Sequence, residues 1–195
     1  MVQEFADQQI AQMKKRTAEA GRPVTCCAGC SACCYEPVYC DSWEMEHALA
    51  GLSGDQLDYV KARLAQWVRL VEPSGLLKQE LPSAFAWRAL KVPCPFLRET
   101  LCMIYDRRPC SCRMHMATGP RINYEDDKLR EQQTFVTSPE ATENIALVSV
   151  AKYKGGNYDH LGAWLAKLLF GQNLQSATQG HIDKAHSKKN KLFYA

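Results

Sequence analysis

The chain has 195 residues, 46% hydrophobic and 23% charged, which suits a globular domain with a buried core and excludes collagen-like, mucin-like or wholly disordered chains. Its 24 basic and 21 acidic residues leave a net charge of +3. The stretch from His181 to Ala195 accounts for all of it, with Lys184, Lys188, Lys189 and Lys191 against Asp183, so a dedicated nucleic-acid surface is not expected. No apolar run approaches the roughly 20 residues that span a bilayer. The closest, LGAWLAKLLFG from Leu161, is short and interrupted by Lys167. The first twenty residues are polar and lack the apolar segment of a secretory signal. The expectation is a soluble, cytoplasmic protein with no membrane partner. Residues 1–175 should form a single domain and 176–195 a basic, flexible tail.

The elements expected along the chain are mostly helical. A helix over about Val2–Ala20 should stop at Gly21, a C-cap glycine followed by Arg22-Pro23. Its apolar face (Phe5, Ile10, Met13) is thin and needs a body to pack on. The segment CCAGCSACCYEPVYC has no apolar periodicity and reads as a metal-wrapping loop. Asp41 stands three before Glu44, and Ser53 three before Gln56, so capping boxes open two helices there. In the longer one Leu57, Val60, Leu64, Trp67, Val68 and Val71 recur at helical spacing and mark a core stripe. Pro73-Ser74-Gly75 ends it, and a short helix covers Ser83–Leu90.

Cys94 lies between Pro93 and Pro95, which hold it extended. Leu101–Tyr105 fits an edge strand or a helical turn, and about Asn123–Arg130 is a charged, exposed stretch. Ser138-Pro139-Glu140 opens a further helix through Ile145, Leu147, Val148 and Val150, broken at Gly155-Gly156. Asp159 then caps a last helix, with Leu161, Trp164, Leu165, Leu168 and Leu169 facing the core until Gly171. The fold class expected is mainly α: a small helical domain with irregular cysteine-rich metal-binding loops.

Ten cysteines carry the functional signal. In a reducing compartment, thiols at short spacing point to metal rather than to disulfides. Cys27, Cys30, Cys33 and Cys34 fall within eight residues as two overlapping CxxC units and an adjacent pair. CxxC lets one turn bring two thiolates onto one ion. The side chains of the neighbours Cys33 and Cys34 should diverge, so the loop needs ligands from a second segment to complete a site. That segment offers Cys94, Cys102 and Cys112, with His115 and Cys110 as further candidates. Counting His115, eight ligands would make two tetrahedral sites of four. Thiolates accept zinc, iron or an iron–sulfur cluster, and residue type alone does not choose.

The succession CAGCSACC, CPFL and CMIYDRRPCSCR resembles the YkgJ-type CxxCxxCC cysteine-cluster family of zinc- or iron-chelating domains. The matching positions are Cys27, Cys30, Cys33, Cys34, Cys94, Pro95, Cys102, Ile104, Tyr105, Arg108, Pro109, Cys112 and Arg113, within a core motif spanning 26–115. Ser31 stands where family members usually carry glycine, and Cys26, Cys40 and Cys110 fall outside the pattern. The resemblance implies a metal or iron–sulfur site and no settled activity. Arg108 and Arg113, with Tyr105 beside them, are placed to offset thiolate charge and donate hydrogen bonds to sulfur. The function expected is a metal-binding protein holding zinc or iron through cysteines of two separated segments. The alternative is an iron–sulfur enzyme of redox or methyl-transfer type, since a flagellin lysine methylase is similar in its cysteine cluster. No dinucleotide fingerprint, HExxH helix or Ser-His-Asp order supports an enzyme on its own.

Overall fold

A computed structural model describes residues 2–79, 84–120, 134–136 and 158–174. In chain order these form α1 (Val2–Glu19), a 3-10 turn (Ala32–Tyr35), β1 (Tyr39–Asp41), α2 (Ser42–Leu49), α3 (Gly54–Ser74), a 3-10 turn (Leu76–Lys78) and α4 (Ala84–Ala89). Then come β2 (Leu97–Arg98), β3 (Leu101–Cys102), a 3-10 turn (Tyr105–Arg107), α5 (Cys110–Met114), β4 (Met116–Thr118), β5 (Thr134–Val136), β6 (Tyr158–His160) and α6 (Leu161–Phe170). The described residues are mainly helical, with three antiparallel two-stranded sheets pairing β1 with β6, β2 with β3 and β4 with β5. None of their helices is long and apolar enough to cross a membrane. The expected helix from Ser138, the charged stretch 123–130 and the tail 176–195 lie outside the described residues.

The chain divides into two compact units, each assembled from two segments: Met1–Cys34 with Phe96–Gly156, and Tyr35–Pro95 with Asn157–Ala195. In the first, α1 ends as its sequence requires. Gly21 takes φ +73 and the Arg22 N–H returns to the Thr17 carbonyl at 3.0 Å. Ala6, Ile10 and Met13, at i, i+4 and i+7, form the buried face of α1. Ile10 and Met13 pack on Met116 of β4, and Ala6 packs on Cys110 of α5. Val24 bridges Thr118, and the Thr25 N–H donates to the Ala117 carbonyl at 3.0 Å, so the chain entering the cysteine loop is fastened along β4. The ambiguity at Leu101–Tyr105 resolves as strand then 3-10 turn. Leu97 pairs with Cys102, and Arg98 with Leu101, across a tight hairpin in which Glu99 takes φ +56.

In the second unit both capping boxes form. The Asp41 N–H donates to Glu44 Oε2 at 2.9 Å and the Ser53 N–H to Gln56 Oε1 at 2.9 Å. Val60, Leu64, Trp67 and Val71 make the buried stripe of α3, which closes on Gly75 at φ +70. Residues 161–166 of α6 are buried on all sides, and Gly162 lies directly against the Trp67 ring. Two expectations need correction here. The cap of α6 is His160, whose Nδ1 accepts the Gly162 N–H at 3.0 Å, because Asp159 lies one residue back in β6, paired with Cys40, and its carboxylate takes the His160 N–H instead. Leu168 is 39% exposed rather than core-facing, because the last turn of α6 runs out past the buried segment. The His160 ring sits among Trp67 (stacked, 5.1 Å), Trp87 (4.7 Å) and Tyr39 (edge-on, 5.4 Å).

Candidate metal centre

The cysteine loop is built from two consecutive hydrogen-bonded turns. The Cys30 N–H donates to the Cys27 carbonyl at 3.1 Å, with Gly29 at the third position in the left-handed region, φ +88. A positive φ at that position alone is the signature of a type II turn and favours glycine. The Cys34 N–H then donates to the carbonyl of Ser31, itself buried, at 2.9 Å, and this turn leads into the 3-10 segment Ala32–Tyr35. The backbone thus curls twice in eight residues. That is the local requirement for bringing CxxC thiols to one side. None of the ten cysteines is in a disulfide.

Within the first unit the thiols are joined in pairs. Cys26 is hydrogen-bonded to Cys30, and its Sγ also accepts the Ala117 N–H at 3.2 Å. The bond to Cys30 and burial push the Cys26 thiol far up from its ordinary value, and the Ala117 N–H acts against them. Cys33 and Cys34 are also hydrogen-bonded to each other, so these neighbours do not diverge as expected: the 3-10 turn replaces the strand-like alternation on which that expectation rested. The Cys33 thiol is held below its usual value, first by the bond to Cys34 and then by the Arg108 guanidinium, against burial and the nearby Cys30. Cys102 of β3 is raised, chiefly by burial, while the Ile104 N–H donated to its sulfur, and Arg108, work in the other direction.

Arg108 therefore acts on thiols of both cysteine segments, Cys33 and Cys102. Its position follows from the sequence. Pro109 obliges the preceding residue to be extended, and Arg108 has φ −60 and ψ 143. Its Nε donates to the Tyr105 carbonyl at 2.8 Å and its Cζ lies 3.8 Å over the Tyr105 ring, which fixes the planar head. Arg113 has a different partner, pairing with the Asp7 carboxylate on α1.

The remaining candidates are located by element. Half-buried Cys112 is on α5 and His115 is the exposed C-cap of that helix. Cys110 is buried against Ala6, Phe5 and Met114. Half-buried Cys94 belongs to the second unit, between buried Val92 and Pro95. Among the described residues, no group of three or more Cys, His, Asp or Glu side chains is arranged as it stands to hold a metal ion. The donor chemistry nevertheless fits a thiophilic metal. Several sulfurs share one unit, backbone N–H groups are aimed at two of them, and a guanidinium offsets their negative charge. Sequence spacing passed over Cys26. Its meeting with Cys30 depends on the pairing of residues 24–26 with β4, about ninety positions away, and no local pattern signals that.

No curated protein and no solved structure matches the chain. A family model does, over residues 26–141: CxxCxxCC, described as a "putative zinc- or iron-chelating domain". That span takes in the double-turn cysteine loop, Cys94, the β2–β3 hairpin, Arg108 and α5, more than half of the 195 residues. The chain belongs to the CxxCxxCC family.

Proposed function

We propose that the protein binds zinc or iron through the thiols of Cys27, Cys30, Cys33 and Cys34 together with Cys102, with Cys112 as a further ligand, and that the bound metal organises the fold. The observation that carries this reading is the convergence on Arg108. One fixed guanidinium acts on Cys33 and on Cys102, thiols 69 positions apart in the sequence. A cation so placed offsets the charge that builds up when several thiols lose their protons to a metal. A resident ion would supply a common anchor to the cysteine loop and the β2–β3 hairpin, beside the packing of α1 on Met116 and Cys110. Its binding energy would then be folding energy.

Metal and acid-labile sulfide per chain, measured on protein purified without oxygen, test the reading and distinguish zinc from iron. Cys30→Ser and Cys33→Ser are expected to lower metal content and thermal stability together. Full metal content with an unchanged melting temperature in both variants would overturn it. Matching iron and sulfide would identify a cluster, whereas zinc without sulfide would make the centre structural or metal-handling.

A further inference from the structure

We propose that Cys26, which lies outside the CxxCxxCC spacing, is a thiolate ligand of the same centre. This assignment rests on the metal-binding reading above and extends its ligand set. Three observations converge on it. The Cys26 thiol touches Cys30 and lies within electrostatic reach of Cys33, so it stands with the two central thiols of the motif. Its sulfur accepts a backbone N–H, from Ala117 at 3.2 Å. Donors of this kind spread the charge of a ligated thiolate, and Cys102 receives the same treatment from the Ile104 N–H. Finally, the sulfur is held in place. Thr25 on its N-terminal side is tied to the Ala117 carbonyl by its N–H at 3.0 Å and by its hydroxyl at 3.3 Å, and Val24 bridges Thr118. A ligand held on a strand edge keeps its position while the adjoining turns adjust around an ion.

The competing role is that of an apolar filler, because Cys26 also packs against the Ile10, Met13 and Met116 cluster. The two roles separate on substitution by alanine, which preserves a small apolar side chain and removes the sulfur. The probe is cobalt(II) added to the full-length chain with oxygen excluded, read by sulfur-to-cobalt charge-transfer absorbance per bound ion and by affinity in a chelator competition. Cys26→Ala is expected to lose one thiolate's share of the absorbance. It should also bind at least about 10-fold more weakly, since groups that merely support ligands already cost that much. The same absorbance per ion and the same affinity as wild type would overturn the assignment.

If Cys26→Ala fails to fold, the wild-type chain decides the matter through alkylation by iodoacetamide, read by mass spectrometry. Protection of Cys26 that requires cobalt supports ligation, and equal labelling with and without cobalt overturns it. A wild-type chain that takes up no cobalt overturns the metal-binding reading and this assignment with it. A loaded wild type with an indifferent variant overturns the Cys26 assignment alone.

Discussion

Acidification from pH 7 to pH 5 should destabilise the second unit through His160. The ring is 3% exposed, and its Nδ1 accepts the Gly162 N–H at 3.0 Å, which places the proton of the neutral ring on Nε2. Nε2 is buried with no hydrogen-bond partner among the described residues, and Trp67, Trp87 and Tyr39 surround the ring. A second proton must go to Nδ1, where it would oppose the Gly162 N–H donor to donor and undo the cap of α6. Burial accordingly lowers the pKa from 6.5 to about 3. Between those values the unfolded chain binds a proton that the folded chain does not. Stability therefore rises with pH across the window and is lost as pH falls through 6.5. At pH 5 the loss amounts to about 2 kcal/mol, at roughly 1.4 kcal/mol per pH unit, and cation–π attraction to the surrounding rings would return part of it.

Urea unfolding followed by tryptophan fluorescence, at pH 7 and pH 5, measures this loss in wild type and in His160→Asn. Asparagine keeps an acceptor for the Gly162 N–H and does not titrate, and the packing it loses is lost at both pH values. Wild type should lose more than the variant, by at most about 2 kcal/mol. Equal losses in the two proteins would refute the reasoning.

Other substitutions probe different parts of the structure. Gly162→Ala would place a Cβ 2.5 Å from Cη2 and Cζ2 of Trp67, a ring that is 2% exposed. It should cost about 1–3 kcal/mol in thermal unfolding, and an unchanged melting temperature would show that Trp67 yields freely. At Gly29 an added Cβ meets nothing within 4 Å among the described residues, so what opposes Gly29→Ala there is φ +88. It should cost about 1–2 kcal/mol, measured by denaturant titration. Arg108→Gln removes the cation beside Cys33 and Cys102 and should weaken zinc binding about 10–100-fold in chelator competition. Arg113→Gln instead breaks the pairing with Asp7 and should lower thermal stability while leaving zinc affinity near wild type.

The legible features were those encoded over a few residues. Gly21, Gly75 and Gly171 end helices with positive φ, and the Ser53–Gln56 and Asp41–Glu44 boxes start them, because each capping bond spans no more than one or two turns of chain. The α3 stripe was equally plain, since its 3.6-residue period is recorded in the sequence itself. The CxxC turns and the placement of Arg108 before Pro109 belong to the same class. The sheets could not be read in this way. β1 and β6 are three residues each and pair Tyr39 with His160, and strands so short carry no alternation to detect. The Cys26–Cys30 contact and the aromatic surroundings of His160 were hidden for a related reason. Each depends on segments about a hundred positions apart meeting, and spacing within a motif carries no record of that.

The division of each unit between two stretches of chain has a consequence during synthesis. Cys26, Cys27, Cys30, Cys33 and Cys34 leave the ribosome first, but Cys102 follows only after the intervening 67 residues, 35–101, and β4 is complete only at Thr118, 84 residues after Cys34. At about 5–20 residues per second the delay to the end of β4 lasts roughly 4–17 seconds. Throughout it the nascent loop offers five thiols without β4 to fasten it and, until Arg108 emerges, without that guanidinium to offset its charge. The nascent chain is therefore most exposed to oxidants and mismatched metals in this interval, which closes only when the β2–β3 hairpin and the strand after it emerge.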